Sequence, residues 1–258
     1  MNFEEFWTRG DVHERVKIAL KEANLLEKKL EIEDLFPLDQ YHARGIAATI
    51  ELADKLNFAK NSTIIDIGCG LGGPARYFSK RFNCNVYGID ITEAFIEIGN
   101  YFNKLTHIDH QVTLLKGDGE NLPYQTEFFD GAVSQHVTMN IENREQFFNE
   151  AFRVLKKGAI FGFSEHGLGT KGSPIFPLPW ADNEDMSFLK TPEYTKSLLK
   201  KIGFKNIKII STGEKYISGY NSLLKKGQSN EKPTLGIHVI GGDSMLERCL
   251  LYTSDAAD

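Results

Sequence analysis

The chain has 258 residues, 41% of them hydrophobic and 25% charged, with a formal net charge of −5. That length suits one large domain or two small ones with a real buried core, and the acidic balance excludes a general attraction to nucleic acid phosphate. No apolar run approaches the roughly 18 residues needed to cross a bilayer, and the amino terminus "MNFEEFWTRGD" lacks the apolar core of a secretory signal, so a cytoplasmic protein with no membrane partner is expected.

In chain order, apolar side chains at Val12, Val16, Ile18, Ala19, Leu25 and Leu26 give a mostly helical spacing over 12–30, with Asp11 as its N-cap. "LFPLDQYHARG" (35–45) is an irregular link to a second helix at about 44–56. From residue 62 the chain alternates. Short β-rich runs at 63–66, 85–89, 112–115, 131–134 and 159–164 are separated by helical patterns near 74–82, 92–104 and 144–155. That rhythm predicts an α/β fold, a doubly wound and mostly parallel sheet, whose strand-to-helix loops share one ligand-binding edge. Residues 1–43 form an N-terminal helical cap in this reading and 44–248 the main domain. The Gly-, Pro- and aromatic-rich stretch 166–190 reads as a lid over the site. A last β-rich run falls at 205–211. The final ten residues, "CLLYTSDAAD" (249–258), resemble the translation of a sequencing-library adapter, so a natural chain continuing past Arg248 is expected. Cys69, Cys84 and Cys249 show no metal or disulfide spacing, and His107, His110, His166 and His238 are scattered; no metal is predicted.

The stretch "STIIDIGCGLGGPARYF" (62–78) poses the functional question. Gly68, Gly70 and Gly73 satisfy the G-x-G-x-x-G dinucleotide pattern, which alone is weak evidence. A dinucleotide pyrophosphate rests on free N–H groups at a helix N-terminus, yet Pro74 removes one such donor and Asp66 adds a negative charge. Both suit a cationic, phosphate-free ligand, namely S-adenosylmethionine. Asp90 ends the second run, where a carboxylate accepts hydrogen bonds from both ribose hydroxyls, as it also does in NAD sites. Asp118, after the third run, is placed to accept from the exocyclic amine of adenine. Each carboxylate could also be a plain turn or cap residue.

Taken with "GIDIT", "GDGENLPY", "FDGAVSQHVTMNI" and "EAFRVLKKGAIFGFSE", the glycine stretch resembles a class I S-adenosylmethionine-dependent methyltransferase of the type 11 group, as in sarcosine/dimethylglycine and tocopherol methyltransferases. The likeness extends to "LDQYHARG", "SPIFPLPWA" and "PTLGIHVIGG". It implies S-adenosyl-L-methionine as cofactor and a small-molecule methyl acceptor. Gly68, Gly70 and Gly72 then line the methionine portion, Asp90 holds the ribose, and Asp118 with Gly119 reads adenine; Ile91 and Gln135 complete the cofactor set. It also implies a final antiparallel strand beside the run at 205–211. "KKGAI" (156–160) departs from the family's usual Lys-Pro-Gly-Gly and touches no cofactor residue.

Methyl transfer from a sulfonium is an in-line displacement, so alignment and exclusion of water matter most, and a base is needed only if the acceptor must lose a proton. His136, after the fourth run, is the candidate base or acceptor-orienting group, or else a structural histidine. Glu165, ending the fifth run, and Tyr41 join it as catalytic candidates; His42, Phe176 and Trp180 are substrate candidates. Trp180 and Tyr41 could hold a cationic amine against their rings, or wall in an apolar acceptor. Two other functions stay open: an NAD(P)-dependent oxidoreductase, and a non-catalytic S-adenosylmethionine-binding module.

Overall fold

The computed structural model describes residues 6–7, 11–169, 173–219, 233–242 and 248. Five strands form one parallel sheet: β1 Thr63–Ile67, β2 Asn85–Asp90, β3 Val112–Lys116, β4 Phe129–Gln135 and β5 Leu155–Ser164, in the order β3-β2-β1-β4-β5. Helices α1 Val12–Glu22 and α2 Ile46–Ala53 precede the sheet, α3 Gly73–Phe82, α4 Glu93–Leu105 and α5 Arg144–Val154 lie in the β1–β2, β2–β3 and β4–β5 crossovers, and α6 Pro192–Ile202 follows β5. β1 is central, pairing Asp66 with Gly88 on one side and with Val133 on the other.

Alternation along β1 sorts its side chains between two apolar layers. Ile64 joins Phe78 of α3, Val86 and Val112 in one cluster. Ile65 and Ile67 join Phe147 and Phe148 of α5 and Leu198 and Leu199 of α6 in another. A third cluster packs Val12, Val16 and Leu20 of α1 onto Phe95, Ile98 and Phe102 of α4. The N-terminal turn is anchored by an ion pair: Arg76 Nη2 lies 2.8 Å from Asp39 Oδ2, with both side chains buried.

Three boundaries differ from the sequence reading, each for a local reason. The first helix stops at Glu22 rather than 30, because Asn24 takes a left-handed conformation (φ 54°) and the Leu25 N–H turns back to the Leu20 carbonyl. β5 starts at Leu155, directly after α5. A register shift opposite Phe129 and Gly131, beside Gly158 at φ 81°, carries it to the pairing read from 159 onward. The run at 205–211 forms no strand: Asn206 is left-handed, and Ile209 and Ile210 are 50% and 56% exposed. The adapter-like residues 249–258 lie outside the described residues.

Candidate active site

The carboxyl ends of β1, β2 and β4 meet where strand order reverses, the place at which such sheets bind ligands. Asp66 and Asp90 lie close enough there for the charge of one to act on the other. Asp66 is 1% exposed, and its Oδ2 has no hydrogen-bond partner among the described residues. Burial, and then the charge of Asp90, push its carboxyl up to about 8. Asp90, also raised by burial, accepts from the Gly70 N–H at 2.8 Å and the Thr92 N–H at 2.9 Å. It therefore sets the shape of the glycine loop as well as ending its own strand.

The loop spends its own donors. Gly68 and Cys69 N–H both reach the Ile89 carbonyl, Gly70 N–H goes to Asp90, and Gly72 N–H to the Cys69 carbonyl. Four of the loop's amides are thus committed within the protein. The glycines also divide by role. A Cβ on Gly68 would lie 2.2 Å from Val137 Cγ2, and one on Gly72 2.6 Å from Leu114 Cδ1, whereas beside Gly70 nothing lies within 4 Å. Gly68 and Gly72 thus permit close packing, and Gly70 (φ 52°) faces open space. An unpartnered buried carboxyl oxygen below that loop fits a ligand bearing an ammonium group.

The adenine candidates are more exposed. Ile91, 50% exposed, offers an apolar shelf beyond Asp90. Asp118 Oδ1 accepts from the Glu120 N–H at 2.8 Å, closing a turn. Gly119 packs tightly, since a Cβ there would lie 2.9 Å from the Phe147 ring. A surface cleft of about 500 Å³ lined by Lys55, Phe58, Asp130 and Gly158 lies at the opposite, amino-terminal edge of the sheet.

Beyond the carboxyl end of β4, aromatic and polar side chains gather around His136. His136 is left-handed (φ 57°), an unusual conformation for a histidine and one that recurs at functional sites. Its ring stacks on His42 (5.6 Å, 11°) and lies 4.7 Å from that of His166. Burial holds His42 and His166 down at about 4, and holds His136 well below its ordinary value. All three are neutral at pH 7. Gln135 Oε1 and Gln40 Oε1 both approach the Thr49 hydroxyl, at 3.2 and 2.6 Å, and His42 Nε2 approaches it at 3.1 Å. One hydroxyl proton serves three acceptors, and both Gln Nε2 groups are buried without partners, so a ligand has donors to meet here.

Other candidates sit differently from the sequence reading. Glu165 does not face the acceptor space with a free carboxylate. Oε2 takes Arg144 Nη1 at 2.6 Å and the Thr138 hydroxyl, and Oε1 takes the Thr195 hydroxyl at 3.0 Å. Trp180 is 2% exposed and stacks face to face on His166 (4.6 Å, 12°), so that face of the indole cannot carry a cation. Its Nε1 donates to Ser187 Oγ at 3.1 Å, and Phe176 packs against the same apolar cluster. Tyr41 makes edge contacts with Trp7 and Phe95 in the N-terminal cluster. The sequence reading missed His166, which it took as scattered, and Thr49, Arg144 and Tyr216. Of these only His166, directly after the fifth strand, carried a positional signal.

Comparison with known proteins agrees with this geometry. A family described as "Methyltransferase domain" matches residues 65–163. Residues 65–163 are a methyltransferase domain. The chain is 33% identical over 114 residues to sterol 24-C-methyltransferase of Candida albicans, covering 44% of this chain and 30% of that protein. The chain thus spans less than a third of the length of that relative. Sarcosine/dimethylglycine N-methyltransferase of Halorhodospira halochloris is 28% identical over 175 residues, 68% of this chain and 62% of that one. Among solved structures, phosphoethanolamine N-methyltransferase 2 of Haemonchus contortus, in complex with S-adenosyl-L-methionine, superposes with a TM-score of 0.75 at 18% identity. That match covers 99% of this chain and 57% of the other, and shows a shared fold.

Proposed function

We propose that this protein transfers a methyl group from S-adenosylmethionine to a nitrogen or oxygen atom of a small-molecule acceptor. The observation that carries this is the buried, unpartnered Oδ2 of Asp66 at the carboxyl end of β1, below a glycine loop that is open at Gly70 and has four of its amides already bonded. Asp66 with Gly70 takes the methionine end, Asp90 the ribose, and Ile91 with Asp118 the adenine. Gln135 and Gln40 offer donors to a carboxylate. The cofactor supplies an activated methyl group; the chain's own work is to align the acceptor and shut out water with 166–190. Polar lining by His42, His136 and Gln135 favours a heteroatom acceptor. Methylation of an alkene carbon builds up cationic charge, and the nearby Glu165 carboxylate is committed to Arg144.

The test is a screen of small amines, phenols and carboxylates with labelled methyl donor, run beside binding calorimetry. Transfer to nitrogen or oxygen is expected. Label recovered on a carbon acceptor would correct the acceptor class. Binding of S-adenosylhomocysteine without any transfer would favour a non-catalytic module. Tight NADH binding without S-adenosylhomocysteine binding would favour the oxidoreductase.

Proton linkage gives a second expected result. At pH 7 the Asp66 carboxyl, raised to about 8, is mostly protonated; an ammonium placed against it favours ionisation. Cofactor binding should release up to one proton, read from calorimetric enthalpies in buffers of different ionisation heat. An enthalpy independent of buffer would contradict it. In the free protein the native state holds this proton between the ordinary 3.8 and about 8, where the unfolded chain has lost it. Asp66 therefore makes stability fall as pH rises through that window.

A further inference from the structure

Residues 213–219 are helical and lie beyond the matched methyltransferase segment, yet they reach the site. Lys215 pairs with Glu51 of α2, and Glu51 also holds Arg44 Nη1 at 2.9 Å. The Arg44 guanidinium in turn lies 5.4 Å over the Tyr216 ring. A Cβ on Gly219 would meet Arg44 Cγ at 3.2 Å, so the segment sits close on this clasp. Held this way, Tyr216 brings its hydroxyl to 2.5 Å from His136 Nε2.

Two groups share that hydrogen bond, and their acidities decide its direction. A phenol, with an ordinary pKa of about 10, donates, and the imidazole lone pair accepts. Burial, with His166, His42 and Arg44 around the ring, keeps His136 neutral. A neutral imidazole accepting at Nε2 carries its one proton on Nδ1. Nδ1 is buried and has no partner among the described residues. It is then a donor waiting for an acceptor, and has no lone pair with which to take a proton.

We propose that Tyr216 is a positioning residue of the acceptor site: by donating to His136 Nε2 it fixes the imidazole as its Nδ1–H form. His136 therefore offers the methyl acceptor a hydrogen bond, and the fitting acceptor class presents an oxygen lone pair there, such as a carboxylate. The last step rests on the methyltransferase reading; the tautomer does not.

Nitrogen-15 spectra of the full chain labelled at histidine read the tautomer directly, with His136→Gln assigning the signals. The expected result is a bare Nε2 and a protonated Nδ1 in the wild type. Tyr216→Phe should shift the ring toward the Nε2–H form. Lys215→Ala, which loosens the clasp but keeps the phenol, should give an intermediate mixture. A wild-type ring protonated at Nε2, or a Tyr216→Phe ring unchanged from wild type, would overturn the proposal, and the wild-type spectrum decides even if that variant fails to fold. No methyl donor or acceptor enters this measurement, so its failure is distinguishable from failure of the proposed activity. For a carboxylate-bearing acceptor found in the screen, Tyr216→Phe should raise KM about 10-fold, the worth of one hydrogen bond, with a smaller change in kcat. An unchanged KM would remove the acceptor-class part.

Discussion

Arg144→Ala should destabilise the fold by about 3–5 kcal/mol, the cost of stranding a buried partner of an ion pair. Arg144 is 2% exposed and holds four groups from four parts of the chain. These are Glu165 Oε2 at 2.6 Å, Thr195 Oγ1 at 3.0 Å, the Thr138 carbonyl at 2.9 Å and the Phe188 carbonyl at 3.2 Å. It thereby joins the turn after β4, the end of β5, the segment before α6 and α6 itself. Its loss leaves the Glu165 carboxylate without its cation and takes a donor from the Phe188 and Thr138 carbonyls, of which Thr138 keeps the Ile141 N–H. Chemical denaturation would show a lowered midpoint at an unchanged slope. A loss below about 1 kcal/mol would mean that the network closes without its arginine.

Asp90→Ala should weaken S-adenosylmethionine binding by about 2–3 kcal/mol, roughly 30- to 150-fold. Two effects act together. The ribose loses a charge-assisted acceptor, and the Gly70 and Thr92 amides lose theirs, so the loop no longer holds its binding shape. Calorimetry on the folded variant measures the affinity. An unchanged dissociation constant would remove Asp90 from the site.

The sheet was legible because its signals are local. β-rich runs and glycine punctuation placed all five strands, to within two residues everywhere except the start of β5. The positions of Asp66 and Asp90 at the carboxyl end of the sheet were legible for the same reason, since each closes a β-rich run of the sequence. The misses share a different cause. Nothing in the helical periodicity of "TKSLLKK" from Thr195, or in an arginine following Asn143, announces that Arg144, Thr195 and Glu165 converge from three separate elements. Tyr216 meets His136 across 80 residues of sequence. The run at 205–211 has strand composition, but β-propensity expresses packing against a neighbour, and 207–212 have no strand partner among the described residues.

The reversal of strand order at β1 also has a kinetic side. β2 and β3 reach their places through short successive crossovers, so residues 63–116 can assemble early with few distant contacts. β4 must return across the whole of that half to β1's other side, where Ser134 Oγ bonds the Ile67 carbonyl from 67 residues away. Closing so long a loop is the slow kind of event in building a parallel sheet. Asp66 waits on β1 until Gln135 and His136 arrive on β4. The pocket therefore comes into being at the last and slowest docking step, and a refolding chain should regain cofactor affinity only with its slowest phase.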